Sequence, residues 1–267
     1  MNKFVLFKNE FYLNRKTFWI WLFINAGLLA IFAAATDLVL SNAGLLELLE
    51  SYPQAILDSF NINPESFTTY EGWMASEPYV FLALLLGIFA MLLSATSISR
   101  EIDGRTGEFL FTTPLSRRTI FFAKAASHLL QLTIVFLAST ALVFLLGRAV
   151  AEVGNAQGLF LVFLTAYLLS LVCSGIGYLL SCLMDNQRTA LSLGVGFVLL
   201  SFLFNMLAGL EGFVGRLAKL SIFQLFDVLA ILKENALPPL PVAAACLCYL
   251  LGLIVSSEIL ARKNLYL

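Results

Sequence analysis

The side chains with the most chemical capacity are few and scattered. His128 is the chain's single histidine, and Ser174, followed by Gly175, is a serine that such a base could activate, the pairing used by intramembrane serine proteases. That chemistry also needs an oxyanion site and a group that orients the base. The run before the serine, Leu171-Val172-Cys173, offers no small-residue turn for the first, and nothing in the sequence marks the second. The four cysteines, Cys173, Cys182, Cys246 and Cys248, all fall within apolar runs. Cys246 and Cys248, two positions apart, would diverge by about 200° around a helix, and no second ligand cluster accompanies them, so zinc or iron–sulfur binding is not expected. No G-x-x-x-x-G-K-[S/T] stretch occurs, which leaves the chain without a phosphate-cradling loop for ATP. The expectation is a protein with no catalytic residue, no metal site and no cofactor of its own.

One stretch concentrates polar chemistry instead: Ser99-Arg100-Glu101-Ile102-Asp103-Gly104-Arg105-Thr106-Gly107-Glu108-Phe109-Leu110-Phe111-Thr112-Thr113-Pro114-Leu115-Ser116-Arg117-Arg118. A mechanical connector needs only a few polar residues. Here Thr106-Gly107-Glu108 can begin a short helix, with the acid in its first turn favoured by the helix dipole. Phe109, Leu110 and Phe111 give that helix an apolar face. Pro114 ends it, and Ser116 can cap the helix that follows. Arg117, Arg118 and Lys124 are expected to pin that next helix to inner headgroups. The product is a short amphipathic rod suited to a groove on a cytosolic partner; a hairpin lying on the lipid surface is the plainer alternative.

The elements that must carry this rod follow from composition. Hydrophobic residues make up 60% of the chain and charged residues only 12%, with mean hydropathy +0.90. Soluble domains carry roughly 25% charged residues, so the solvent here must be lipid. The net charge of −1 argues against a basic nucleic-acid-binding face. Six runs are long enough to cross a bilayer as helices: about residues 18–40, 79–98, 120–146, 159–184, 190–208 and 242–261. The resulting class is all-α, a single six-span membrane domain over residues 1–267, with the loop 99–119 between its second and third spans. With six crossings, 12 of the 16 Lys and Arg fall on one side, which places both termini in the cytoplasm. The first outer loop has no Lys or Arg between Ser41 and Glu77.

Lys3, Lys8, Arg15 and Lys16 ahead of an apolar run ending near Ala33-Ala34-Ala35 resemble a cleaved signal, but the long polar lead with Glu10 and the length of the run favour a retained first span. Phe4, Phe7 and Phe11 at helical spacing predict an amphipathic lead helix in the inner headgroup region. In the outer segments 41–77 and 209–241, Leu45–Phe60 and Leu217–Leu232 have helical apolar spacing, read as short outer helices or a re-entrant element. Ser170, Ser174, Gly177, Ala190, Gly194 and Gly196 permit close helix approach, and Asn25, Gln131 and Asn205 read as helix–helix glue. Span interiors are nearly free of Asp, Glu, Lys and Arg, unlike an ion-coupled carrier.

Glu101, then Arg105-Thr106-Gly107-Glu108-Phe109-Leu110, Pro114-Leu115-Ser116-Arg117, Ile120 and Lys124, resembles the signature after the second span in membrane subunits of type-2 ABC exporters. The resemblance covers the whole chain in layout and is sharp only from Glu101 to Lys124. Arg105 stands where many members have Gly, and Ser221-Ile222 where many have Ser-Pro. It implies a permease of the plasma membrane, paired with a second copy or a related permease and powered by separate ATP-binding cassette subunits that hold the ATP and magnesium. It implies that Arg105–Thr113 is the coupling helix, with Glu101, Arg105, Thr106, Glu108, Phe109, Leu110, Pro114, Arg117 and Lys124 as the coupling residues. No residue singles out peptide, drug, lipid, polysaccharide or ion as cargo. The competing reading is a membrane protein without a motor, either an ion-coupled carrier or a hydrolase using Ser174 and His128.

Overall fold

The structure is a computed structural model that describes residues 3–52, 57, 64–104, 115–208 and 212–263. Six helices or paired helices are long and apolar enough to cross a membrane: Arg15–Leu40, Tyr70–Ala95, Arg117–Val150, Ala156–Leu183, Gln187–Met206 and Pro239–Arg262. No strand occurs among the described residues. The all-α, six-span expectation holds, with each span found where an apolar run stands.

The spans end where their sequences stop them. The third begins at Ser116, whose hydroxyl accepts from the Thr119 amide at 3.1 Å, as expected of an N-cap. Asn155 caps the fourth by accepting from the Gly158 amide, and Asn186 caps the fifth through Thr189. The sixth starts on Pro239, where a missing amide hydrogen costs nothing. The second span starts earlier than its apolar run implies: a short helix, Tyr70–Ala75, precedes Glu77–Ala95, with the break at Ser76. The third span has 34 residues, about 51 Å at 1.5 Å each. That exceeds the roughly 30 Å of hydrocarbon, so its ends extend into the interfacial layers or the helix tilts.

The second and fourth spans form the buried centre, while the first, fifth and sixth expose most of their surface. The fourth packs on the second and the sixth, the third on the first and on the lead helix, and the fifth on the second. Leu82, Leu86, Phe89 and Met91 of the second span and Phe163 and Cys173 of the fourth are almost wholly enclosed. Lipid removes most of the hydrophobic gain of bringing helices together, so close van der Waals packing and polar contacts must hold the bundle. Met91 is wedged between two glycines: a Cβ on Gly177 would come within 2.9 Å of its Sδ, and one on Gly194 within 2.5 Å of its Cγ. Gly196, grouped with them in the sequence, has nothing within 4 Å of its Cβ position. The fourth and sixth spans touch backbone to backbone, since a Cβ on Gly252 would lie 2.5 Å from the Gly175 carbonyl oxygen. Tyr79 and Thr165 share a hydroxyl hydrogen bond of 2.8 Å across the centre.

The outer segments are broken into short pieces. Ala43–Ser51 is helical, followed by a 3-10 turn at Pro64–Phe67; the rest of the expected 45–60 helix, apart from residues 52 and 57, lies outside the described residues. Leu217–Leu232 is not one helix. It is divided among Gly212–Ala218, a 3-10 turn at Ile222–Leu225 and Val228–Glu234. Ser221 and Asp227 each accept from an amide two or three residues ahead, so each restarts the chain instead of continuing a helix.

Candidate functional site

The described residues that lead into the expected docking rod form a five-residue helix, Ser99–Asp103, after a turn at the end of the second span. Four other elements hold it. Ser181 of the fourth span accepts from the Ile98 and Ser99 amides at 2.8 and 3.1 Å. Asp103 accepts from the Gln187 amide at the start of the fifth span. Glu101 accepts from Lys124 of the third span at 2.7 Å. Arg100 donates to Glu10 at 3.0 Å and to Asn14 at 3.2 Å, reaching the lead helix and the bend after it.

Glu10 is the centre of this arrangement. The lead helix, Lys3–Leu13, exists as expected, but its buried side carries Leu6 and Glu10, with Asn14 buried one turn on, and Phe4 is exposed. Residues four apart stack on one helical face, which aligns these three against the third span. There Lys124 and His128, also four apart, face back. Lys124 donates to Glu10 at 2.9 Å, and His128 Nε2 lies 2.9 Å from the Glu10 carboxylate. Asn14 donates to Glu10 at 3.1 Å, and Tyr178 closes the far side at 3.3 Å from His128 Nδ1. Burial alone would raise the Glu10 pKa, but the His128 hydrogen bond, then the charges of Lys124, His128 and Arg100, hold it well below the ordinary carboxylate value. With two carboxylates facing Lys124 and Arg100, the ionic charges balance, which is what burial of ions requires.

Lys124 therefore does not reach headgroups; it is buried, with 3% of its surface exposed. Arg117 also turns to the protein, donating to the Lys263 carbonyl at 2.6 Å and the Leu260 carbonyl at 3.3 Å, and so ties the third span to the end of the sixth. Arg118 pairs with Glu258 at 2.8 Å, and Lys263 with Asp185 at 2.6 Å. Lys124 is drawn in by Glu10 and Glu101, whereas Arg117, Arg118 and Lys263 find carbonyls and carboxylates of the sixth span and the fourth–fifth connection within reach.

Of the expected coupling residues, Glu101 and Lys124 are brought together and Arg117 sits apart from them at the sixth span. Arg105, Thr106, Glu108, Phe109, Leu110 and Pro114 lie outside the described residues. His128 and Ser174 do not form a dyad, because the ring nitrogens face Glu10, Asn14 and Tyr178. Gln131 bonds across helices, to the Phe11 carbonyl at 3.1 Å, and Asn205 accepts from Gln224. Asn25 instead donates to Trp21 of its own helix.

Sequence reasoning missed Glu10, Asn14, Arg100, His128 and Ser181 as one cluster. The available signal was a lone acid in a basic lead and a Lys-x-x-x-His step inside an apolar span, which needs an anion on the same face.

Among the described residues, no group of three or more His, Cys, Asp or Glu gathers in a way that could hold a metal ion. No curated protein matches the chain significantly. Residues 4–234 match the family model described as ABC-2 family transporter protein.

Proposed function

Because the chain belongs to the ABC-2 transporter family, we propose that it is the membrane-spanning permease subunit of an ATP-powered exporter, driven by a separate ATPase that docks on residues 105–113. The observation that carries this reading is the fastening of Ser99–Asp103. The chain just before the docking segment is bonded to the lead helix and to the third, fourth and fifth spans. A displacement delivered by a partner at 105–113 would enter most of the bundle at once. Conformational energy reaches cargo only if the partner binds two arrangements of the permease differently.

On this reading the permease is one six-span unit with both termini in the cytoplasm, pairs with a second copy or a related permease, and does no bond-making itself. ATP and its magnesium belong to the partner, in keeping with the missing P-loop. Glu108 and the apolar face Phe109-Leu110 supply the docking contacts, and Glu101 acts from within through Lys124.

The test is Glu108→Lys in the assembled complex, followed by transport in sealed vesicles and ATPase rate. The expected result is intact insertion with loss of transport-linked ATPase activity. Unaltered transport-linked hydrolysis, or reproducible failure of any soluble ATPase to co-purify with the wild-type chain in mild detergent, overturns the reading.

A further inference from the structure

A groove of 520 Å³ runs between the lead helix and the first turns of the third span, lined among others by Lys3, Phe4, Phe7, Arg118, Phe122 and Ala126. Its two ends differ in chemistry. At one end stand Lys3 and Arg118, beside the amino end of the third span, whose helix dipole adds positive potential. Apart from Thr119, the remainder is apolar. Phe4 and Phe7 stack with ring centres 6.4 Å apart, Phe4 is 68% exposed and Phe122 44%, and Ala126 leaves the floor low.

We propose that this groove seats one anionic phospholipid of the adjoining leaflet, its phosphate between Lys3 and Arg118 and one acyl chain along Phe4, Phe7, Phe122 and Ala126. The reason is charge complementarity joined to shape: a cationic mouth continuous with an apolar channel fits a molecule that carries an anion on a hydrocarbon chain. The depth agrees, because the groove opens at the basic end of the bundle, where cationic side chains meet headgroups. Arg118 already holds Glu258, but that pair is exposed and weak, and a guanidinium has five donors, more than one carboxylate takes. A zwitterionic headgroup brings its own cation to this mouth and gains less. A lipid seated here would brace the lead helix against the third span, the two elements that Glu10 clamps farther along the same helix.

The full-length chain, purified in mild detergent and stripped of lipid, is offered phosphatidylglycerol, phosphatidylcholine or soluble glycerol 3-phosphate, and retention is read by native mass spectrometry. The wild type retains one phosphatidylglycerol in preference to phosphatidylcholine and does not retain the soluble headgroup. Lys3→Gln and Arg118→Gln each lower that preference about fivefold, from the roughly 1 kcal/mol that each cation near a headgroup supplies. Ala126→Trp, which fills the channel, removes both lipids. Lys16→Gln, outside the groove, changes nothing. Equal retention of the two lipids by the wild type, or an unchanged preference in both charge variants, overturns the proposal. Retention of glycerol 3-phosphate as strong as that of the lipid also overturns it, by marking a site for free anions. Lys3 is exposed on the lead helix, so its variant reads out on folded protein even if Ala126→Trp does not fold.

Discussion

The two ends of the bundle share side-chain bonds to backbone but differ in their ion pairs. At the basic end ion pairs gather, Glu10 with Arg100 and Lys124, Glu101 with Lys124, Arg118 with Glu258, beside side-chain-to-backbone bonds of Ser181, Asp103 and Arg117. At the opposite end, side chains reach backbone. Glu71, buried, accepts from the Asn155 amide at 2.6 Å. Tyr70 donates to the Val143 carbonyl, Trp73 to the Phe32 carbonyl, Asn155 to the Leu232 carbonyl and Ser221 to the Ser201 carbonyl. A bond to a backbone group fixes one register of one helix against another, because the group cannot turn without the helix. Paired flexible ions can exchange partners while remaining paired. The outer end is therefore a lid fixed by backbone bonds, while the basic end adds to such bonds a joint of exchangeable ion pairs, which lies where the proposed motor would push.

The largest effect should come from taking one cation out of the joint. Lys124→Met leaves Glu101 and one oxygen of Glu10 facing a buried apolar side chain, and breaking a buried pair by removing one partner costs on the order of 3 kcal/mol. The expected outcome is a large drop in thermal midpoint in detergent, partly recovered when Glu101→Gln is added, because one of the two carboxylates that faced the lost ammonium is then neutral. A midpoint within a degree of the wild type would erase the distinction between the ends.

The six crossings were legible because a run of apolar residues has one affordable conformation in lipid. Their capping residues were partly legible, and Ser116 was read correctly. The joint was not, because its partners are far apart in sequence: Glu10 meets Lys124 and His128 across more than a hundred residues, and only packing of the lead helix on the third span brings them together. Lys124 illustrates the loss. Taken alone, a lysine at a span end reads as a headgroup anchor; beside Glu10 and Glu101 it is an interior counter-ion. The outer end was legible only as short helices or a re-entrant element, since apolar spacing in 217–232 concealed the two restarts at Ser221 and Asp227.

A smaller effect is expected at the lid. Tyr70→Phe removes one neutral hydrogen bond to the Val143 carbonyl, worth about 1 kcal/mol. It should lower the midpoint slightly while leaving transport-linked ATPase activity unchanged, whereas Lys124→Met should disturb both. Loss of coupling in Tyr70→Phe would show that the lid participates after all.

The smallest change is expected from mild acid. Glu10 has a depressed pKa in the fold, so the stability it contributes is fully present above its unfolded value, near 4.3, and is lost only as pH falls below that toward the folded value. The stability difference between wild type and Glu10→Gln should stay flat from neutral pH to about 5 and narrow only under stronger acid. A difference that shrinks already between pH 7 and 5 would place another titrating group at the centre of the joint.

Where the fourth and sixth spans cross, Gly175 and Gly252 leave no side chain between the two backbones. A one-turn lengthwise slide of the sixth span would bring Tyr249 or Val255, three positions away on the same face, onto that spot and force the helices apart. The sixth span, mostly exposed elsewhere along its length, is therefore keyed in height at this crossing, while Arg117 and Lys263 moor its last turn to the third and fourth spans.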